Sequence, residues 1–195
     1  MTAHDLFRAL GPLVAPALEQ IFDRRDLCIL ATRVAIETAR YFGIQAVPLP
    51  VKLIAYNADF ARHVAAKFAD VEDRTKPQTW GDSSWSVGIG YGKPYEPGKW
   101  DGHLIAVGTG CFADFSIQQA ERPQYNIITG KALVGPWHGE QMWKAENETG
   151  TVIEYYRLMN TGAWRNAPDW RDEKRRRKVV GQLIRAVRER ETIER

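Results

Sequence analysis

Three residues of this chain carry the side chains of a nucleophile, a base and an orienting acid. They are Cys28, His103 and Asp114. A thiolate attacks carbonyl carbon. A neighbouring imidazole can take the thiol proton and return it to a leaving group, and a carboxylate can hold that imidazole in one tautomer. Residue type alone does not unite them, so the elements that carry them decide whether they meet.

Cys28 falls in the first turn of a well-marked helix. Asp26 is a suitable N-cap and Gly43 a suitable C-terminal stop, with Leu27, Leu30, Ala31, Val34, Thr38 and Phe42 at helical spacing between them. A second strip, Cys28, Thr32, Ala35 and Ala39, contains only small side chains, so the helix can lie close against a sheet. The unpaired amides and the macrodipole of a helix start favour a thiolate there. A buried structural cysteine would look the same from this helix alone.

His103 and Asp114 lie in two short apolar runs around Gly108-Thr109. A two-residue turn at that pair would place Val107 opposite Gly110 and His103 opposite Asp114, on one face of a hairpin. A slip of one residue would send Asp114 to the other face.

In order and context the three residues resemble the transglutaminase-like superfamily, and their use of a helix-borne thiol is similar to that of papain-like enzymes. The quoted signs are Gly102-His103-Leu104-Ile105-Ala106-Val107, Ala113-Asp114-Phe115-Ser116-Ile117-Gln118-Gln119-Ala120, and the Gly43-Ile44-Gln45-Ala46 step from helix to strand. The resemblance covers roughly residues 25–120. It implies a cysteine-dependent acyl-transfer enzyme on an α+β fold. An antiparallel sheet would pack on the Cys28 helix, with N- and C-terminal helices around it. Hydrolysis of an amide or peptide bond is the first expectation. A transglutaminase or N-acetyltransferase using an amine acceptor is an alternative, as is a non-catalytic binding domain on the same fold. The substrate would be a peptide, a protein or a small acyl or amide compound. The backbone amide of Cys28 is the expected oxyanion donor, with Gln20 and Trp100 as side-chain candidates, and Trp80, Trp85 and Trp100 could wall a substrate cleft.

The remaining chain fits around these stretches. Residues 2–24 read as one or two short helices broken near Gly11-Pro12. Residues 47–56 alternate as a strand, and Pro48 and Pro50 suggest a sheet edge. Asn57 or Asp59 opens a helix to about Ala69 that carries His63 as a surface residue. A short strand is expected around Trp85–Tyr91, with others over 131–135, 141–146 and 151–159. The Gly88-Ile89-Gly90-Tyr91-Gly92 run lacks the following Lys-Ser/Thr and helix of a phosphate loop. His138 is a loop residue and the reserve candidate for the base. Residues 1–168 form the expected domain, and 169–195 a basic amphipathic helix packed on it or extending from it.

Composition sets the outer bounds. The chain has 195 residues and a net charge of +3. Ten of the 27 Lys/Arg and five of the 24 Asp/Glu fall in residues 171–195, so the remainder carries two more acids than bases. The basic run Lys174–Lys178 could meet nucleic acid, but its interspersed acids favour a solvated helix face. Two distant cysteines make no disulfide framework, and no close-spaced ligand pair asks for a metal. No motif calls for a cofactor. No window approaches a membrane span, and the N-terminus lacks the pattern of a signal peptide, which predicts a cytoplasmic protein.

Overall fold

The computed structural model describes residues 1–22, 27–67, 83–91, 100, 102–159, 162–171 and 173–193. Helix α1 spans Ala3–Phe22. It is continuous, which corrects the expected break near Gly11-Pro12. Pro12 and Pro16 both lie on its solvent face, while Leu6, Phe7, Leu10, Val14 and Leu18 are buried on the other. That apolar stripe holds the helix together across two missing N–H groups.

Helix α2 (Cys28–Tyr41) ends as its sequence predicts. Gly43 takes φ +72°, and the amides of Gly43 and Ile44 bond back to the carbonyls of Arg40 and Ala39. This is the paired closure that a left-handed glycine permits. Asp26, expected as the N-cap, lies outside the described residues.

Strand β1 (Ala46–Tyr56) is the backbone of the sheet, not its edge. Its first half, 46–51, pairs antiparallel with β3 (His103–Gly108), and its second half, 51–56, pairs with β7 (Val152–Arg157). The prolines fit because of this division. In a strand, the N–H and C=O of one residue point to the same side. Pro50 C=O accepts from Leu158 N–H at 3.0 Å, so the ring nitrogen faces the β7 side too, where the ladder has yet to begin. Pro48, two residues earlier, faces the same way and removes no ladder bond.

Helix α3 (Ala58–Lys67) follows, capped by Asn57, whose Oδ1 accepts from Phe60 N–H at 2.9 Å. Strand β2 (Ser86–Ile89) pairs with the second half of β1. Strands β4 (Cys111–Asp114), β5 (Leu133–Pro136) and β6 (Met142–Glu146) complete the sheet in the order β5-β4-β3-β1-β7-β6, with β2 on β1. The sheet curls into a nearly closed antiparallel barrel. Phe112 of β4 lies 5.5 Å from Trp143 of β6 and 5.3 Å from Tyr155 of β7, ring centre to ring centre, although none of these strands adjoins β4 in the sheet. Leu53, Ile105, Val107 and Ile153 fill the barrel beside them.

The helices form a second core on the outer face. Short α4 (Pro168–Arg171) leads to α5 (Glu173–Ile193). Val179, Leu183 and Val187 of α5 meet Leu10, Val14, Leu30 and Val34 of α1 and α2 above Ala106 and Ala113 of the sheet. Small residues on the strands and helices allow the close approach. The fold is therefore α+β, with N- and C-terminal helices flanking the barrel. Among the described residues no helix is long and apolar enough to cross a membrane.

Candidate active site

The β3–β4 hairpin turns at Thr109-Gly110, with Gly110 at φ +71°. The expected turn at Gly108-Thr109 is corrected by one residue, and the register by two. Gly108 pairs with Cys111 and Val107 with Phe112, so Asp114 falls diagonal to His103. A shift of two keeps every side chain on its face. His103 and Asp114 remain together.

Both are fully buried. His103 Nε2–H donates to Asp114 Oδ2 at 2.8 Å. The same oxygen accepts from Tyr155 O–H at 3.0 Å, and Oδ1 accepts from Ser116 N–H at 3.0 Å and Ser116 O–H at 3.2 Å. Four donors thus compensate a carboxylate removed from water. The Ser116 bonds form a local turn of the kind Asp favours two residues ahead. Tyr155 arrives from β7, across the barrel interior.

Burial pulls the His103 pKa down, because a dry site disfavours the imidazolium. The Asp114 charge and its hydrogen bond push the other way, aided by the nearby Cys28 side chain. The balance lies well above the ordinary histidine value, at about 10. Nδ1 is buried with no hydrogen-bond partner among the described residues. With Nε2 bound to Asp114, this is the nitrogen left for sulfur. Tyr155 is held well above its usual value by burial, then by the Asp114 charge beside it, so it stays a donor.

Cys28 is the first residue of α2 and is partly exposed, as a nucleophile must be. Its helix is pinned to β3 by Thr32 O–H, which donates to Leu104 C=O at 2.7 Å in the buried interface. Leu104 follows His103 directly, so this bond fixes the helix start relative to the imidazole. On the far side of α2, Arg176 of α5 reaches Glu37 at 2.9 Å, and Glu37 also holds Arg33.

An aromatic wall stands beside the thiol. Trp100, Ala167 and Trp170 pack with Cys28 around Ile29, Leu104 and Trp164. Trp164 and Trp170 meet edge to face at 4.6 Å, and the Arg33 guanidinium lies over Trp170. Trp100 is thus brought to the site. Trp85 is not part of this wall. It stacks on Tyr125 at 3.9 Å and packs with the barrel interior. Gln20 does not join the site either: on an unbroken α1 it is exposed beside α5, 3.5 Å from Gln182. Trp80 lies outside the described residues, as does the side chain of His63. His138 is an exposed loop residue whose N–H bonds to Glu140.

Sequence reasoning missed Tyr155, Ser116 and Gln119. The Gln119 side chain lies against the backbone amides of Leu27 and Cys28. Only Ser116, two residues beyond an Asp, carried a local signal.

Among the described residues no three His, Cys, Asp or Glu side chains are grouped to hold a metal ion. Asp114 turns one oxygen to His103 and Tyr155 and the other to Ser116. The basic run on α5 is partly engaged inside the fold. Arg176 is buried against Glu37, Arg175 lies over Phe22, and Arg177 pairs with Glu173.

Comparison with known proteins gives no match among family models, curated proteins or solved structures.

Proposed function

We propose that this protein is a cysteine-dependent acyl-transfer enzyme of transglutaminase-like type, acting first as a hydrolase of an amide or peptide bond. One observation carries the proposal. A fully buried imidazole gives Nε2 to a fully compensated carboxylate and keeps Nδ1 for a partly exposed thiol at a helix start. The pushed-up His103 favours the thiolate–imidazolium pair that acyl transfer needs.

The scheme follows from these atoms. Cys28 Sγ attacks the carbonyl carbon, a C–S bond forms, and the C=O π pair moves to oxygen. The backbone N–H of Cys28 stabilises that oxyanion. As the oxyanion collapses, the C–N bond breaks and the amine leaves with the proton from His103 Nδ1. A thioester remains. His103 then accepts a proton from water as its oxygen attacks the thioester, and collapse breaks the C–S bond to release the acid. Asp114 holds the imidazole throughout. Water is the assigned acceptor because it requires no second binding site. The aromatic wall of Trp100, Trp164 and Trp170 would receive the acyl side of the substrate. We place the reaction in the cytoplasm, where both free cysteines would stay reduced.

The test is the rate of Cys28 alkylation by iodoacetamide against pH. Fast alkylation at neutral pH that slows in His103→Ala is expected. Cys28→Ala should fold and lose turnover. A slow profile indifferent to His103 would make Cys28 a structural cysteine and end the proposal.

A further inference from the structure

Strand β5 ends the sheet on one side, and its register shows what the open edge offers. Trp137 N–H donates to Gly110 C=O at 3.1 Å, directly opposite in the β4–β5 pairing. Alternate residues of an antiparallel strand turn their backbone groups to the neighbour, and those between turn them away. Leu133 and Gly135 therefore face β4, while Val134 and Pro136 face outward. Among the described residues no strand pairs with that side. Pro136 has no N–H, so β5 turns outward the N–H and C=O of Val134 and the C=O of Pro136. The proline shortens the open edge and guards it against indiscriminate pairing.

A groove of about 470 Å³ runs between this segment and α1. His4, Arg8 and Pro12 follow at one-turn intervals on its helical wall, and Lys131 to Val134 form the other. Among the described residues that line it are three with basic side chains and no Asp or Glu. Asp5, the next residue on α1 after His4, is held by the N–H and O–H of Thr2. The groove thus favours negative charge. Val134 packs towards the helical core, whereas Leu133 packs against the barrel core. A residue added opposite Val134 would share its face and enter the basic groove. The residue after it would lie on the apolar face of Leu133.

We propose that the β5 edge is a docking site for an extended segment of a partner protein in which acidic and apolar residues alternate. Main-chain bonds to Val134 and Pro136 set its register, and its acids meet His4, Arg8 and Lys131. None of these residues belongs to the thiol site, so the docking does not depend on the acyl-transfer reading.

The test is fluorescence anisotropy with a labelled decapeptide of alternating Glu and Val. It should bind, and the matching Lys-Val peptide should bind at least about tenfold more weakly. Arg8→Glu/Lys131→Glu should lose a similar factor; both residues are exposed, so the fold should persist. Val134→Pro removes the outward N–H without removing a bond to β4, and should weaken binding about tenfold. Val134→Ala keeps that N–H and should bind as wild type does. The unchanged protein gives the same reading with two further probes, one N-methylated at its Glu residues and one at its Val residues. One of them should lose binding, because one set of amides must face β5. No binding of the Glu-Val peptide up to about 1 mM, equal affinity for the Lys-Val peptide, or full binding by both methylated probes would overturn the proposal. So would a dimer of the free protein that Val134→Pro abolishes, since a second copy would then be the occupant.

Discussion

Replacing Asp114 with Asn tests the site at its most connected atom pair. The carboxylate accepts from four donors: His103 Nε2–H, Tyr155 O–H, and the N–H and O–H of Ser116. An amide has one acceptor oxygen, which can serve one side of that arrangement. Its NH2 must then face donors on the other. Two buried donors lose their acceptor, at about 1–3 kcal/mol each, so Asp114→Asn should destabilise the fold by roughly 2–6 kcal/mol near neutral pH. A typical domain has only about 5–15 kcal/mol in total.

The charge has a second, pH-dependent effect. Because folding raises the His103 pKa from 6.5 to about 10, folding takes up a proton between those values. The resulting stability is fully present below 6.5 and is lost as pH rises through the folded value. Cys28→Ser is the background in which to read it, since in the wild type the proton on His103 can come from the thiol and cancel the uptake. Asp114 raises the His103 pKa more than Cys28 does, so the shift survives in that variant. Urea unfolding of Cys28→Ser should therefore show stability falling above pH 6.5 by up to about 1.4 kcal/mol per pH unit, the value of one proton. Cys28→Ser/Asp114→Asn should lack that slope. Cys111, whose pKa burial also raises, is common to both and cancels in the comparison. Equal slopes would show that Asp114 does not hold the proton on His103, and the account of the site would fail.

Tyr155→Phe removes one of the four donors while keeping the ring against Phe112 and Trp143; it should cost about 1 kcal/mol by urea unfolding and leave His103-dependent alkylation intact. Gly43→Ala should cost about 1 kcal/mol through the positive φ alone, since a Cβ there meets nothing within 4 Å, and Cys28 alkylation should not change. Arg176→Met keeps the buried stem but leaves Glu37 only Arg33. A loss of about 1–3 kcal/mol is expected in thermal or urea unfolding, and a variant as stable as wild type would show the pair to be neutral.

Much of the site was legible because it depends on local rules. Helical spacing and Gly43 fixed the extent of α2, and hence Cys28 in its first turn. Alternation along two strands joined by a short turn put His103 and Asp114 on one face, and that conclusion survived a two-residue error in register because parity decides the face. The prolines of β1 suggested a sheet edge, and what they mark is only the side of its first half that faces away from β3. They were taken to describe the whole strand, whereas β7 begins to pair only at Val51. Tyr155 was beyond reach because barrel closure, not any nearby residue, brings β7 to Asp114. Gln119 was missed because its contact is made to backbone amides, which leave no mark in the sequence. Gln20 was misplaced because nearness to Cys28 in sequence does not become nearness in space when α1 runs unbroken beside α5.

The barrel's strand order also sets a sequence in time. β1 is made early, but one side of its second half waits for β7, the last strand of the sheet to be made. Asp114 likewise waits for the hydroxyl of Tyr155. On a ribosome working from the N-terminus, Cys28 emerges well before His103, Asp114 and Tyr155. The partners of Asp114 are thus drawn from separate stretches of chain, and the last of them belongs to the final strand of the sheet.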